Sequence, residues 1–148
     1  TNTYGNKAFE SKLIIKGLTL LDVCLDENGE IIPGKTTLIV TSTNSKNLKF
    51  LLGILNSKLP LFYIKEKYRG SSYNQGINFN KDMINNLPMP KINDDIKTKI
   101  VSAVDSILNA KKRKAAVDTS TLEKQIDDIV FKIYGLTKEE IQIIEGDI

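Results

Sequence analysis

The chain has 148 residues, 41% hydrophobic and 26% charged, with a net charge of +3; this is the profile of one globular domain that can bury its own core, not of a disordered chain. It contains no histidine and one cysteine, Cys24, which excludes Ser-His-Asp and Cys-His catalysis, the usual imidazole base, zinc sites that need His or several Cys, and an internal disulfide. Residues 118–148 hold eight acids against three bases, so residues 1–117 carry +8 and are the part suited to a polyanion.

No apolar run reaches transmembrane length and the first residues do not resemble a signal peptide, so the expected compartment is the cytoplasm, with no membrane partner. A chain opening on Thr1 reads as a fragment of a longer protein. Residues 1–10 show no period and predict a loop. KLIIK (12–16), LTLLDVCLD (18–26) and TTLIVTS (36–42) are rich in branched apolar residues and predict strands, with a short EII (30–32) between an Asn-Gly turn and a Pro-Gly turn. Cys24, inside such a run, is expected to be a small buried hydrophobe. Asn44 or Ser45 caps a helix carrying Leu51, Leu52, Ile54 and Leu55. Asn56-Ser57 interrupts it, and Pro60 opens the next helix at its first position, with Leu61, Phe62 and Ile64 on its apolar stripe.

From Lys65 the character changes. Lys65, Lys67, Arg69 and Lys81 stand against one acid, Glu66, interleaved with Tyr68, Ser71, Ser72, Tyr73, Asn74, Gln75 and Asn78. Lys and Arg neutralise phosphates, and Arg, Asn and Gln make paired hydrogen bonds to base edges, so this is a polar loop with a nucleic-acid-contact vocabulary. The alternative is a solvated loop without a partner. NFNKDMINN (78–86) predicts a strand or a short helix, and Leu87-Pro88-Met89-Pro90 must be extended.

Asp94 or Asp95 opens a long helix with Ile96, Ile100, Ala103, Val104, Ile107 and Leu108 on one face. It ends in KKRK (111–114), where the helix dipole favours cations, although the run could also contact DNA. Ser120 and Glu123 form a capping box for a second helix with the stripe Leu122, Ile126, Ile129, Val130 and Ile133, stopped by Gly135. Thr137 and Glu140 repeat the box for a short helix bearing Ile141 and Ile144. Glu123, Asp127 and Asp128 could in principle hold a metal, but a solvated face explains them. The fold class is therefore α+β: a small, largely antiparallel sheet with packed helices (1–92), then a C-terminal antiparallel helical hairpin with a short terminal helix (93–148).

Asn56-Ser57-Lys58-Leu59, the Leu87-Pro88-Met89-Pro90 element, and Ile126-Asp127 with Val130, Tyr134-Gly135-Leu136-Thr137 and Glu140-Ile141 together resemble the TaqI-like C-terminal specificity domain. This is the target recognition domain of type II restriction-modification enzymes and adenine-specific DNA methyltransferases, similar to the specificity subunits of type I systems. Where type I relatives often carry a Glu-Gln pair after the Pro-x-Pro element, this chain has Asp94-Asp95. The resemblance implies a bacterial, sequence-specific double-stranded DNA recognition domain, non-catalytic by itself, attached to an N-terminal methyltransferase or nuclease core. S-adenosylmethionine and Mg would belong to that core, and this chain would hold no cofactor. No catalytic residue is expected here; the DNA-contact candidates are Lys65, Lys67, Arg69, Ser71, Ser72, Tyr73, Asn74, Gln75, Asn78 and Lys81. A competing reading makes the chain a protein-protein assembly module that works through its C-terminal hairpin.

Overall fold

The computed structural model describes residues 4–73 and 76–146; for Thr19 and residues 71–73 it describes the backbone alone. After a single 3-10 turn (Gly5–Phe9), the chain forms β1 (Lys12–Lys16), β2 (Leu18–Thr19), β3 (Val23–Asp26) and β4 (Thr37–Thr41). Helices α1 (Ser45–Asn56) and α2 (Lys58–Lys67) follow, then β5 (Ser72–Tyr73), β6 (Gly76–Asn78) and α3 (Lys81–Asn85). Three helices complete the chain: α4 (Asp94–Arg113), α5 (Ser120–Ile133) and α6 (Lys138–Gly146). The fold is α+β, as expected. Among the described residues no helix is long and apolar enough to cross a membrane.

The main sheet has the order β3-β1-β4, antiparallel throughout, with Ile14 opposite both Cys24 and Ile39. As the central strand, β1 buries Leu13, Ile14 and Ile15, so its apolar run does not alternate. At its first position Lys12 lies opposite Asp26 and is fully buried, its ammonium paired with the Asp26 carboxylate and donating to the Ala8 carbonyl at 2.7 Å. The same carboxylate accepts from the Glu30 and Ile31 N–H groups at 3.0 and 2.9 Å, which anchors the loop after β3. Burial works hardest on Asp26 and opposes its charge. The hydrogen bonds from Lys12, Ile31 and Glu30 and the attraction of Lys12 outweigh it and hold the carboxyl below the usual range.

Helix α1 is the centre of the packing. Its Leu48, Leu52, Ile54 and Leu55 join Leu13, Ile15 and Val23 of the sheet and Ile100, Val104, Ile126 and Val130 of α4 and α5 in one hydrophobic cluster. Ile64 of α2 and Ile77, Phe79 and Met83 of the β6–α3 region belong to the same cluster. Asn44 caps α1 by accepting the Lys46 N–H at 2.9 Å, and Asn93 caps α4 by accepting that of Ile96 at 2.9 Å. Residues 114–119 turn the chain so that α5 packs back on α4. Gly135 stops α5 at φ +67, and the reciprocal bonds Thr137 N–H to Glu140 Oε2 (2.7 Å) and Glu140 N–H to Thr137 Oγ1 (3.2 Å) form the expected box before α6.

Several expectations are corrected. LTLLDVCLD is two strands in two different sheets, broken at 20–22: Ile15 of β1 already faces Val23 of β3 and the Lys16 N–H closes on the Asp22 carbonyl at 3.0 Å, so residues 18–19 leave the main sheet and pair with β6 instead. EII is not a strand, since its first two N–H groups turn back to Asp26 rather than joining a ladder. Cys24 is exposed: Val23 and Leu25 take the core side of β3, and alternation puts the thiol outside. Partial burial and then the charges of Asp22 and Asp26 push that thiol up, away from thiolate chemistry. Helix α2 begins two residues before Pro60, at Lys58, so the proline occupies the third helical position, still within the turn where a missing N–H costs nothing. The cap of α5 is Thr119, not Ser120. The Thr119 hydroxyl donates to Glu123 at 2.6 Å and Asp118 takes the Ser120 N–H at 2.9 Å. Residues 1–10, expected as a loop, include the 3-10 turn with Ala8 buried.

Candidate nucleic-acid interface

The basic segment is more ordered than a loop. After α2 the chain makes a 3-10 turn (Arg69–Ser71), and β5 and β6 then pair antiparallel, Ser72 with Ile77 and Tyr73 with Gly76. The strand β2 adds on the other side of β6, Leu18 with Asn78 and Thr19 with Ile77, giving a second three-stranded sheet in the order β2-β6-β5. Ile77 and Phe79, two apart, point into the core and fasten this sheet to it. Asn78 between them is exposed. Asn80 caps α3 through the Met83 N–H at 3.0 Å, which leaves Lys81 exposed in the first turn.

Of the ten candidate contact residues, the structure places Lys65 and Lys67 in the last turn of α2 and Arg69 and Ser71 in the 3-10 turn. Ser72 and Tyr73 lie on β5, Asn78 on β6 and Lys81 at the start of α3. Asn74 and Gln75 lie outside the described residues. The Lys67 ammonium sits 5.5 Å from the Tyr63 ring centre, 5.6 Å from that of Tyr68 and 3.3 Å from the Tyr63 hydroxyl. The hydrogen bond to Tyr63, then the electrostatic attraction of the Tyr63 and Tyr68 phenol oxygens, favour its charged form and push its pKa up. Arg69, 75% exposed, pairs with Glu66 one turn back on α2. An exposed pair of this kind is worth roughly 0–1 kcal/mol, so a phosphate or a base edge can displace the glutamate at small cost.

The residues that carry the family resemblance do something else. The Asn56 side chain closes a two-bond pair with the Val23 backbone, donating to its carbonyl at 2.8 Å and accepting from its N–H at 3.0 Å, as a further strand would on the edge of β3. The Ser57 hydroxyl donates to the Ile54 carbonyl at 2.6 Å. Asp127 of α5 accepts the Lys58 N–H at 2.9 Å and so caps α2 from across the molecule. Burial pushes the Asp127 carboxyl up, against the Lys58 hydrogen bond that lowers it. The Tyr134 hydroxyl donates to the Pro88 carbonyl and lies 3.7 Å from the Met89 sulfur, which straps the Pro-x-Pro element to the end of α5. These motifs are joints that set how α2, the extended element and the hairpin meet, and the basic residues lie between them in sequence.

The acids weighed as a metal set each have a partner: Glu123 with Thr119 and Asp128 with Lys124 within α5 and its cap, and Asp127 with Lys58 across the molecule. Among the described residues no group of His, Cys, Asp and Glu could hold a metal ion. A cleft of about 530 Å³ lies between β3, the α1–α2 junction and the hairpin, lined by Cys24, Asn56, Lys58, Lys111 and Asp127 among others. It opens at the N-terminal end of α2, while the basic segment leaves from the C-terminal end. Leu18, which reads in the sequence as part of one long strand, is 50% exposed and stands opposite Asn78 on this second sheet.

No protein-family profile matches the chain. The chain is similar to the type II methyltransferase M.MjaIV of Methanocaldococcus jannaschii, 31% identical over 104 residues. The match covers 68% of this chain and 33% of that protein, so the chain spans about a third of the length of the curated relative it matches.

Proposed function

We propose that this chain is the sequence-specific double-stranded DNA recognition domain of a restriction-modification enzyme or DNA adenine methyltransferase, with residues 1–92 meeting DNA and residues 93–148 bracing them. The observation that carries this reading is the small sheet β2-β6-β5 with the exposed cations Lys67, Arg69 and Lys81 around it, held on the core by a buried back. Phosphates would take the lysines and turn the duplex so that the groove faces Arg69 and Asn78. The likeness to a type II methyltransferase three times the length of the match supports the assignment. In this reading methyl transfer, with its S-adenosylmethionine, belongs to a methyltransferase core of which this chain is the reading attachment.

The test is a gel shift of this chain on mixed duplexes at increasing salt. Phosphate contacts without the core leave dissociation constants of roughly 10⁻⁴ to 10⁻⁶ M at physiological salt, with affinity falling steeply as salt rises. Affinity indifferent to salt, or no retardation at all, would remove the proposal and favour the assembly-module reading.

A further inference from the structure

We infer that the outward face of the sheet β2-β6-β5 reads an A·T base pair, with Leu18 packing on the thymine methyl and Asn78 pairing with the adenine. The inference rests on the DNA-recognition reading above and adds a residue and a base-pair identity to it. Leu18 is 50% exposed although it stands in a paired strand, and its partner in register is the exposed Asn78. The Phe79 N–H donates to the Gly17 carbonyl at 2.9 Å, so the next pair along the ladder, Leu18 with Asn78, is of the non-hydrogen-bonded kind whose side chains lie closest together.

An apolar side chain beside a carboxamide is a poor solvated surface but matches one feature of the major groove. There the adenine N7 and N6 offer the acceptor-donor pair that Asn satisfies, and the thymine of the same base pair presents its C5-methyl on the same edge. The groove is wide enough for an antiparallel ribbon. Lys16, two residues before Leu18, and Lys81, three residues after Asn78, are both exposed, so the chain brings a cation in close to the apolar-carboxamide pair on each strand. Protein-protein interface centres are depleted of lysine, so this setting favours a polyanion as the occupant.

The experiment measures binding of this chain to duplexes of alternating adenine and thymine, and to the same duplexes with deoxyuridine, which lacks the methyl. Alternation offers an A·T pair in every register, so no recognised sequence need be known. The chain should bind the deoxyuridine duplex about 4-fold more weakly, the equivalent of one buried methyl group. Leu18→Ala should abolish that ratio, while Leu18→Met and the change Ile143→Ala at an exposed position of α6 should keep it. A ratio of one in the unaltered chain, or a ratio that survives Leu18→Ala in a protein with an unchanged melting curve, overturns the inference. If binding in those cases still weakens with salt, the DNA-recognition proposal stands; if no salt-dependent binding is found, both fall.

Discussion

The molecule contains two three-stranded sheets built to opposite specifications. The sheet β3-β1-β4 has a central strand covered on both faces, a buried Lys12–Asp26 pair at one end and an edge closed by the Asn56 side chain. The sheet β2-β6-β5 has strands of two or three residues, fastened by Ile77 and followed by Phe79, with Leu18 and Asn78 exposed on its outer side. The first is the scaffold, where a change is felt as stability. In the second, the exposed positions can change with little effect on stability, as the proposed reading surface requires, while Ile77 stays tied to the core.

The scaffold sheet is most vulnerable at its buried ion pair. Asp26→Ala leaves the Lys12 charge buried without a partner and frees two N–H groups, and should cost about 3–5 kcal/mol in denaturant unfolding. The pair also sets a pH dependence. The folded-state pKa of Asp26 is depressed, so its contribution is present above the unfolded value and is lost as pH falls through the folded one. Asp127 has the opposite sign: its raised pKa means the folded state holds that proton more tightly, so stability from this group is lost as pH rises through the folded value. Melting curves taken from neutral pH into the acid range should therefore fall less in Asp26→Asn than in the unaltered chain.

Next in size is Ile126→Ala in the hairpin core, expected to cost about 2–5 kcal/mol. If this variant melted like the unaltered chain yet lost DNA binding, the roles given to hairpin and sheet would be reversed. Asp127→Ala strips the cap from α2 and should cost about 1–2 kcal/mol, whereas Asp127→Asn keeps an acceptor for the Lys58 N–H and should cost less than half as much by the same measurement. At the small end, Arg69→Ala removes an exposed pair and should shift unfolding by less than about 1 kcal/mol.

The helices were legible because their signals are local. The stripe Ile100, Ala103, Val104, the stop at Gly135 and the Thr137–Glu140 box all stand where periodicity and capping put them. The β-region was only half legible, because a run such as 18–26 does not reveal that its two ends join different sheets; that depends on the partners each end finds, β6 for Leu18–Thr19 and β1 for Val23–Asp26. The basic residues were visible as composition, but their support was not, since β2 comes from more than fifty residues earlier in the chain. Asp127 looked like one acid on a solvated face, and only the tertiary fold brings it to Lys58.

In the proposed function the small sheet and its flanking turn read sequence while the lysines at the end of α2 hold phosphate. The most direct test compares Arg69→Ala with Lys65→Ala in the parent enzyme by sequencing the sites each variant modifies. Arg69→Ala should relax the recognised sequence at one position, at a cost of about 1–3 kcal/mol for that base pair. Lys65→Ala should weaken every site alike and lower the salt slope by about one unit, with the sequence unchanged. An unchanged sequence with Arg69→Ala, or an altered one with Lys65→Ala, would contradict the account.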